Sequence, residues 1–420
     1  MKYILSILLS FSLLSASAQC PGDRYATQLF DDVSVTSNLV YGSNTNIFNI
    51  NEDLNMDVYE ALGDTMTGRA LIIFAHGGSF LFGDKADPPM VLIGSDFAKM
   101  GYVTASINYR LGMTQNPIID LPDSVDAFAA IVRAVHDLKA AIRWFRKDVF
   151  EGTNQFNIDP NQIFLAGFSA GGFMVLHQAY MDEESEWPTF PANVLGVDGG
   201  IEGLSGNPGY DTDFIGGLSL AGAIGDTSWI QPGDEPMMST HGTEDDVVPY
   251  GSEVLSFSLG ALTLNIALVH GSSSVHARLD HVGVPNCFTT YEGQGHVPES
   301  DLGPYYDTTS VKARNFFYSI LCQGAINCEY EELVSGIAAQ SSESNILLYP
   351  NPFNDYITID GLDKMNVASI ELFNMSGQKI KEWIRPSMNR LELSSLNQGM
   401  YLLMVNTLDK GSITMKVTKQ

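Results

Sequence analysis

The sequence predicts an α/β domain built on a mostly parallel, doubly wound sheet, followed by a small all-β sandwich. Three observations carry that prediction. From about Asn38 to Ile320, apolar runs alternate with amphipathic helical stretches, the pattern of βαβ units with helices on both faces of a sheet. After Cys328 the composition turns small and polar, with SGIAAQSSESN at residues 335–345, which suits a linker. Beyond it come short runs of alternating hydrophobicity separated by turn residues, the mark of a β-sandwich.

Taken in order, the chain opens with Met1-Lys2, an almost unbroken apolar run from Ile4 to Leu14, and Ala16-Ser17-Ala18. This is the layout of a cleaved export signal over residues 1–18. The run is too short to span a bilayer comfortably. Gln19 stands where a lipoprotein signal needs a small residue, so a free mature start at Gln19 is expected. No other stretch is long and apolar enough to cross a membrane, and no stable membrane insertion is expected. The predicted body covers residues 19–334, the linker 335–345 and the sandwich 346–420.

Within the body, residues 69–75, 102–108, 162–166 and 218–223 read as buried strands, with 236–240 and 287–291 as further ones. Residues 124–149 read as a helix that starts at a Ser124 cap, with Phe128, Ile131, Val135 and Leu138 at helical spacing. Residues 54–59 suit an antiparallel edge strand. In the tail, strands are expected at residues 346–349, 356–359, 368–374, 390–393, 400–405 and 413–417. Turns fall at Pro350-Asn351-Pro352, Ser376-Gly377, Asn397-Gln398-Gly399 and Lys410-Gly411.

Hydrophobic residues make up 45% of the chain and charged ones 17%, which excludes disorder over most of its length. The formal charge is −27. From Asn345 onward, basic and acidic residues nearly cancel, so essentially all the negative charge lies in the body. Such a body repels nucleic acid and anionic headgroups, and a neutral or weakly charged substrate fits it best. Export makes two disulfides the natural use of Cys20, Cys287, Cys322 and Cys328, with three pairings open. The closeness of Cys322 to Cys328 favours a small ring there, leaving Cys20 for Cys287.

The central motif is Gly167-Phe168-Ser169-Ala170-Gly171, between the predicted strand QIFLA and the helical run GFMVLHQAY. A serine on a sharp strand-to-helix turn is held up at the sheet edge near the positive end of a helix. Its hydroxyl is a weak nucleophile and needs a base. His296, in Gly293-Gln294-Gly295-His296, follows the last predicted strand. His270, His276 and His281 follow no clear strand and rank below it, while His136 and His177 fall on helices as structural residues. The imidazole needs an orienting acid. Asp245 is the leading candidate, in the loop after the predicted strand PMMST, with Asp246 and Glu244 as adjacent alternatives. Developing charge on a substrate oxygen requires preformed donors. His76-Gly77-Gly78-Ser79 follows the strand RALIIFA, so Gly77, Gly78 and Ala170 are assigned as backbone donors. Ser79, Phe80 and Phe168 are expected around the substrate, with Phe82 beside Phe80. The pocket walls are expected from the Gly- and Asp-rich residues 183–234.

His76 to Ser79, the serine turn, His241-Gly242-Thr243-Glu244-Asp245 and Gly-x-Gly-His together resemble the carboxylesterase and lipase branch of the α/β-hydrolase superfamily. The similarity covers about residues 38–322 and includes the chain order Ser, Asp, His. Ser79 departs from the commoner third glycine of the loop after the first strand; the donors the family implies lie on the two preceding glycines. In family terms Asp245, rather than Asp246, matches the orienting acid. The resemblance implies a serine hydrolase acting on carboxylic esters, including acetyl or feruloyl esters of carbohydrates. It implies no metal or organic cofactor. A peptidase, lipase or polyester hydrolase of the same fold, or a non-catalytic surface-binding protein, are the alternatives.

In the tail, Tyr349-Pro350-Asn351-Pro352-Phe353, Leu372-Phe373-Asn374-Met375-Ser376-Gly377, Gly399-Met400-Tyr401 and Lys416-Val417-Thr418-Lys419 resemble the sorting domain of the type IX secretion system. That resemblance implies Sec export, handover to the type IX machinery, passage across the outer membrane and removal of the tail. An accessory sugar-binding β domain is the other reading, but Trp383 stands alone as an aromatic platform.

Overall fold

The first continuous apolar strand signal in the body, RALIIFA, is buried at every position, and its alternate residues feed two different cores. Leu71, Ile73 and Ala75 belong to one hydrophobic cluster. Ala70, Ile72 and Phe74 belong to the other. A strand sends successive side chains to opposite faces, so a strand that is apolar throughout must be covered on both sides. The computed structural model that reveals this describes residues 20–114, 122–259, 262–328, 347–360, 362, 367–374, 379–384, 389–407 and 411–419. The expected export signal and linker, and the Ser376-Gly377 turn, lie outside these residues.

The chain divides into two units, Met1–Leu333 and Val334–Gln420. In the first, the strands are β1 (Val33–Thr45), β2 (Asn51–Ala61), β3 (Arg69–Ala75), β4 (Val103–Ile107), β5 (Ile158–Phe168), β6 (Gly217–Leu220), β7 (Ala223–Ile224), β8 (Met237–Gly242), β9 (Ser252–Leu259), β10 (Leu262–Gly271) and β11 (Asn286–Tyr291). Eight of them form one sheet in the order β1-β2-β4-β3-β5-β6-β8-β11. From β4 to β11 every neighbouring pair is parallel. The helices are α1 (Pro88–Lys99), α2 (Ser124–Glu151), α3 (Ala170–Tyr180), α4 (Ser272–Val282) and α5 (Pro304–Tyr318). Residues of α2, α3 and α4 share the core with Leu71, Ile73 and Ala75. Those of α1 and α5 share the core on the opposite face.

Three expectations need correction. Residues 54–59 form part of an antiparallel strand, β2, but it is not at the edge: β1 pairs outside it, with bulges near Thr36 and Val40. Most of β1 is exposed or half-buried, so it lacks the apolar run that flagged the others. The cap of α2 is Asp123 rather than Ser124. Its carboxylate accepts from the Val125 and Asp126 N–H groups, and Asp126 in turn accepts from the Asp123 N–H, a reciprocal box that satisfies orphan donors of the first turn. The cysteines pair as Cys20–Cys322 and Cys287–Cys328. Cys322 lies in the turn after α5, whereas Cys328 has run on to β11, where its sulfur lies 3.4 Å from the Asn286 carbonyl oxygen. Nearness in sequence thus gave way to the path of the chain. The Cys20 bridge closes a loop of 302 residues, the kind of long closure that most restricts an unfolded chain.

A second sheet, β7-β10-β9, has no counterpart in the sequence reading. It stands apart from the main sheet and its outer face is wet, with Val254 and Leu268 about half exposed.

In the second unit, two antiparallel sheets share one core. Strands β12 (Leu347–Tyr349), β13 (Tyr356–Asp360) and β16 (Arg390–Glu392) make the smaller sheet. The larger runs β15-β14-β17-β18, with β14 Val367–Asn374, β15 Lys379–Ile384, β17 Gly399–Thr407 and β18 Gly411–Lys419. Ile357, Ile359 and Leu391 meet Ile370, Leu372, Leu403 and Val405 between them. β15 was not expected: it is exposed at nearly every position and carries little hydrophobic signal.

Candidate active site

Ser169 sits between β5 and α3 with φ 51° and ψ −113°, a backbone geometry that L-residues rarely adopt and that clusters at functional sites. Its two motif glycines have separate reasons to be glycine. A Cβ on Gly167 would lie 2.2 Å from the Gly171 carbonyl carbon, and one on Gly171 would lie 2.1 Å from the Ala75 carbonyl oxygen. The helix therefore packs directly on the ends of β5 and β3. The Ser169 N–H donates to the Leu220 carbonyl at 2.7 Å, and its own carbonyl accepts the first helical bond from Phe173.

His296 Nε2 lies 2.8 Å from Ser169 Oγ, and His296 Nδ1 lies 2.7 Å from Asp245 Oδ2. A carboxylate can only accept, so Nδ1 carries the proton and Nε2 presents its lone pair to the serine hydroxyl. The Asp245 carboxylate is fully buried. Its other oxygen accepts from the Val247 and Val248 N–H groups, both at 2.9 Å, and His241 Nε2 lies 3.2 Å from Oδ2. Burial opposes the charge on Asp245. The hydrogen bonds from His241 and His296 overcome that penalty and hold the carboxyl well below the usual carboxylate range. Asp246 and Glu244 are exposed instead.

Two neighbouring parallel strands bring acid and imidazole together. β8 and β11 are in register at Gly242 and Tyr291, so the loops leaving them start side by side. The Glu244 N–H donates to the Gln294 carbonyl at 2.9 Å and the Gly293 N–H to Thr243 Oγ1 at 2.8 Å. A Cβ on Gly242 would sit 2.2 Å from the Gln294 oxygen, so the close approach requires glycine. The lower-ranked histidines lie elsewhere: His270 Nδ1 meets Ser252 Oγ at 2.7 Å and His276 Nδ1 meets Asn286 Oδ1 at 2.7 Å. His136 and His177 are buried on α2 and α3, where burial holds each imidazole down at about 4.

The loop after β3 lies against the serine. A Cβ on Gly77 would be 3.3 Å from Ser169 Cβ. Gly78, Ser79 and Phe80 all have positive φ, turning the chain sharply beneath the site. His76 Nδ1 donates to the Gly77 carbonyl at 2.6 Å, and Tyr109 Oη donates to the His76 carbonyl at 2.8 Å. These bonds take up carbonyls of the loop. The N–H groups of Gly77, Gly78 and Ala170 have no acceptor among the described residues.

A cavity of about 300 Å³ opens beside Ser169, lined by Ser79, Phe80, Met113, Ala127, Ile131, Ala170, Phe173, Asp246, Val247, Val248, Leu255 and Ser256. Of the three residues expected around the substrate, Ser79 and Phe80 line this cavity. Phe168 does not: it is buried in the core on the opposite sheet face, because its position on β5 points it away from the serine side. Phe82 does not line the cavity, and its side chain is 65% exposed. None of the lining residues comes from residues 183–234. The walls come instead from the loops after β3 and β4, from α2 and α3, and from the acid loop and the β9 strand. Phe173 was legible, since it lies four residues after Ser169 on the same helical face. Leu255 was not, because nothing local in β9 announces where the hairpin docks.

Residues 56–198 match the BD-FAE family, and residues 347–420 match the secretion system C-terminal sorting domain. Lipase 1 of Geotrichum candidum is 30% identical over 134 residues, 31% of this chain and 22% of that protein. Tuliposide B-converting enzyme 1 of Tulipa gesneriana is 29% identical over 133 residues, 30% of this chain and 26% of that protein. The chain thus spans about a quarter of the length of these curated relatives. Among solved structures, a thermophilic esterase of Thermogutta terrifontis with propionate bound has 19% identity and a TM-score of 0.46, covering 69% of this chain and 94% of that one. A truncated carbohydrate esterase from gut microbiota has 21% identity and a TM-score of 0.47, covering 70% and 98%. No described helix is long and apolar enough to cross a membrane. The tail directs the chain through type IX secretion to the cell surface or the extracellular space.

Proposed function

We propose that this protein is a secreted serine carboxylesterase in which Ser169 is the nucleophile, His296 the general base and acid, and Asp245 the orienting acid. The observation that carries this reading is the unbroken hydrogen-bond chain from Ser169 Oγ through His296 to Asp245, at 2.8 and 2.7 Å, beside a cavity with apolar walls. Ser169 Oγ attacks the ester carbonyl carbon as its proton passes to His296 Nε2. The negative oxygen is received by the N–H groups of Gly77, Gly78 and Ala170. The bond to the alcohol oxygen breaks, and His296 gives that oxygen its proton. Water then attacks the acyl-serine, loses its proton to His296, and releases the acid as Ser169 recovers its hydrogen. Asp245 keeps its charge throughout, which stabilises the imidazolium that forms in each half.

The excess negative charge of the chain, −27, favours neutral esters, and small or carbohydrate-linked acetyl esters are the proposed substrates. Residues 1–18 are proposed as the export signal and residues 346–420 as a sorting tail removed after transit. Purified wild-type protein is expected to hydrolyse p-nitrophenyl acetate, and Ser169→Ala to lose roughly 10³-fold or more of kcat. Equal rates for the two proteins would refute the assignment.

A further inference from the structure

The cavity beside Ser169 does not end at its own wall. Beyond it lies a second apolar gap lined by Phe128, His177, Gly225, Ile266 and Val269, and the two spaces share Ala127, Ile131, Phe173 and Leu255. The first is about 300 Å³ and the second about 20 Å³. Phe173 is the only shared residue that belongs to α3, the helix that starts at the nucleophile. Its ring is held on the near side by an edge-to-face contact with Phe80, at 6.3 Å and 83°. On the far side it stacks with His177 at 6.2 Å and 10°.

Ser169, Phe173 and His177 follow one another at four-residue steps, so they lie along one face of the helix. At about 1.5 Å of rise per residue, Phe173 stands roughly 6 Å from the serine along the axis and His177 roughly 12 Å. With C–C bonds of about 1.5 Å, a zigzag acyl chain covers the first distance with roughly five carbons and the second with about nine. The far gap is roofed by the β9–β10 pair through Leu255, Ile266 and Val269. A Cβ on Gly225 would lie 2.9 Å from the Phe128 ring, so glycine keeps that end from being filled.

We propose that the acyl site has two compartments and that Phe173 is the specificity-determining wall between them. Resting on the esterase reading above, this makes acyl groups of two to about five carbons the substrates of the wild-type protein. The far gap is then an unused extension, fitted to a medium-length, unbranched, apolar acyl chain once the ring is removed.

The test compares kcat/KM for p-nitrophenyl butyrate and octanoate in the wild type, Phe173→Ala, Phe173→Leu and the exposed control Phe82→Ala. Taking the octanoate-to-butyrate ratio within each protein cancels any difference in the folded fraction. The wild-type ratio is expected at or below about one tenth, rising at least tenfold in Phe173→Ala and by an intermediate factor in Phe173→Leu, with Phe82→Ala unchanged. If Phe173→Ala gives no soluble protein, a rise of at least threefold in Phe173→Leu decides in favour. A wild type that takes both esters equally, or a ratio that stays within twofold in the Phe173 variants, overturns the wall. A wild type inactive on every ester overturns the esterase reading as well, so the two failures are distinguishable.

Discussion

Two sides of Ser169 are built in different ways. On one side, backbone geometry and charge do the positioning. Gly167 and Gly171 let a helix touch two strand ends, Gly242 lets the acid loop touch the imidazole loop, and a buried carboxylate accepts from two backbone N–H groups and two histidines. On the other side, the cavity wall is made of side-chain volume: Phe80, Met113, Ile131, Phe173 and Leu255. The first side has no slack, because a Cβ at 2.1 Å from a carbonyl oxygen cannot be absorbed by rotating a side chain. The second has slack by design, since one ring can shrink and leave space that an acyl chain fills. The difference teaches that substitutions on the backbone side should cost stability or turnover, whereas those on the wall should redirect selectivity.

Substitutions at each end of that contrast are ways to break it, and after the nucleophile itself the largest effect is expected at the acid. Asp245→Asn should lower kcat by roughly 10⁴-fold, because the amide favours the wrong imidazole tautomer and no longer stabilises the charged ring. Asp246→Asn, exposed at the cavity mouth, should stay within about threefold of wild type, because an exposed charge is screened by solvent. Steady-state kinetics on one ester rank the two, and the reverse order would move the acid by one residue.

Next in size is the pair Gly171→Ala and Gly295→Ala. Both glycines belong to motifs around the site, yet only the first is crowded: the nearest atom to a Cβ on Gly295 is 3.9 Å away. Gly171→Ala should cost about 3 kcal/mol or more, or fail to yield folded protein. Gly295→Ala should unfold within about 1 kcal/mol of wild type. Urea denaturation measures both, and similar midpoints would break the claim that the backbone side tolerates nothing.

The smallest effect concerns pH and lies outside both sides. Burial pushes the Glu235 carboxyl up to about 7. A carboxyl whose folded pKa lies above its unfolded value, about 4.3, holds its proton more tightly when folded. Its contribution is fully present below pH 4.3 and is lost as pH rises through 7. Glu235→Gln should therefore flatten the fall in Tm between pH 5 and 8, leaving the acidic side little changed. An identical pH slope in the variant would remove Glu235 as its source.

The fold was legible wherever burial on two faces wrote a continuous apolar run. β3 and the other parallel strands of the main sheet announced themselves this way, and α2 did so by its periodicity. β1, β9, β10 and β15 did not. Each carries one or more wet faces, and a half-exposed strand with polar interruptions looks like a loop until its partner is known. The candidate site was legible in the same local sense: the serine turn, the glycine loop after β3, and the acid and imidazole loops each follow a recognisable strand. Phe168 was misassigned to the substrate because adjacency to Ser169 in sequence says nothing of which sheet face a side chain takes. The pocket wall was misplaced to residues 183–234 because a Gly- and Asp-rich stretch resembles a lid, while the real wall is spread over six separate segments of the chain.

By itself the sequence determined which strands are buried twice, and that a serine turn, a glycine loop, an acidic loop and a histidine loop each follow a strand, since these are matters of local sterics and of hydrophobic period. Only the tertiary structure decided which cysteines meet, which of three adjacent acidic residues is buried against the imidazole, and which distant side chains close the cavity. Those depend on where separate segments arrive in space, and no local preference of the chain encodes that arrival.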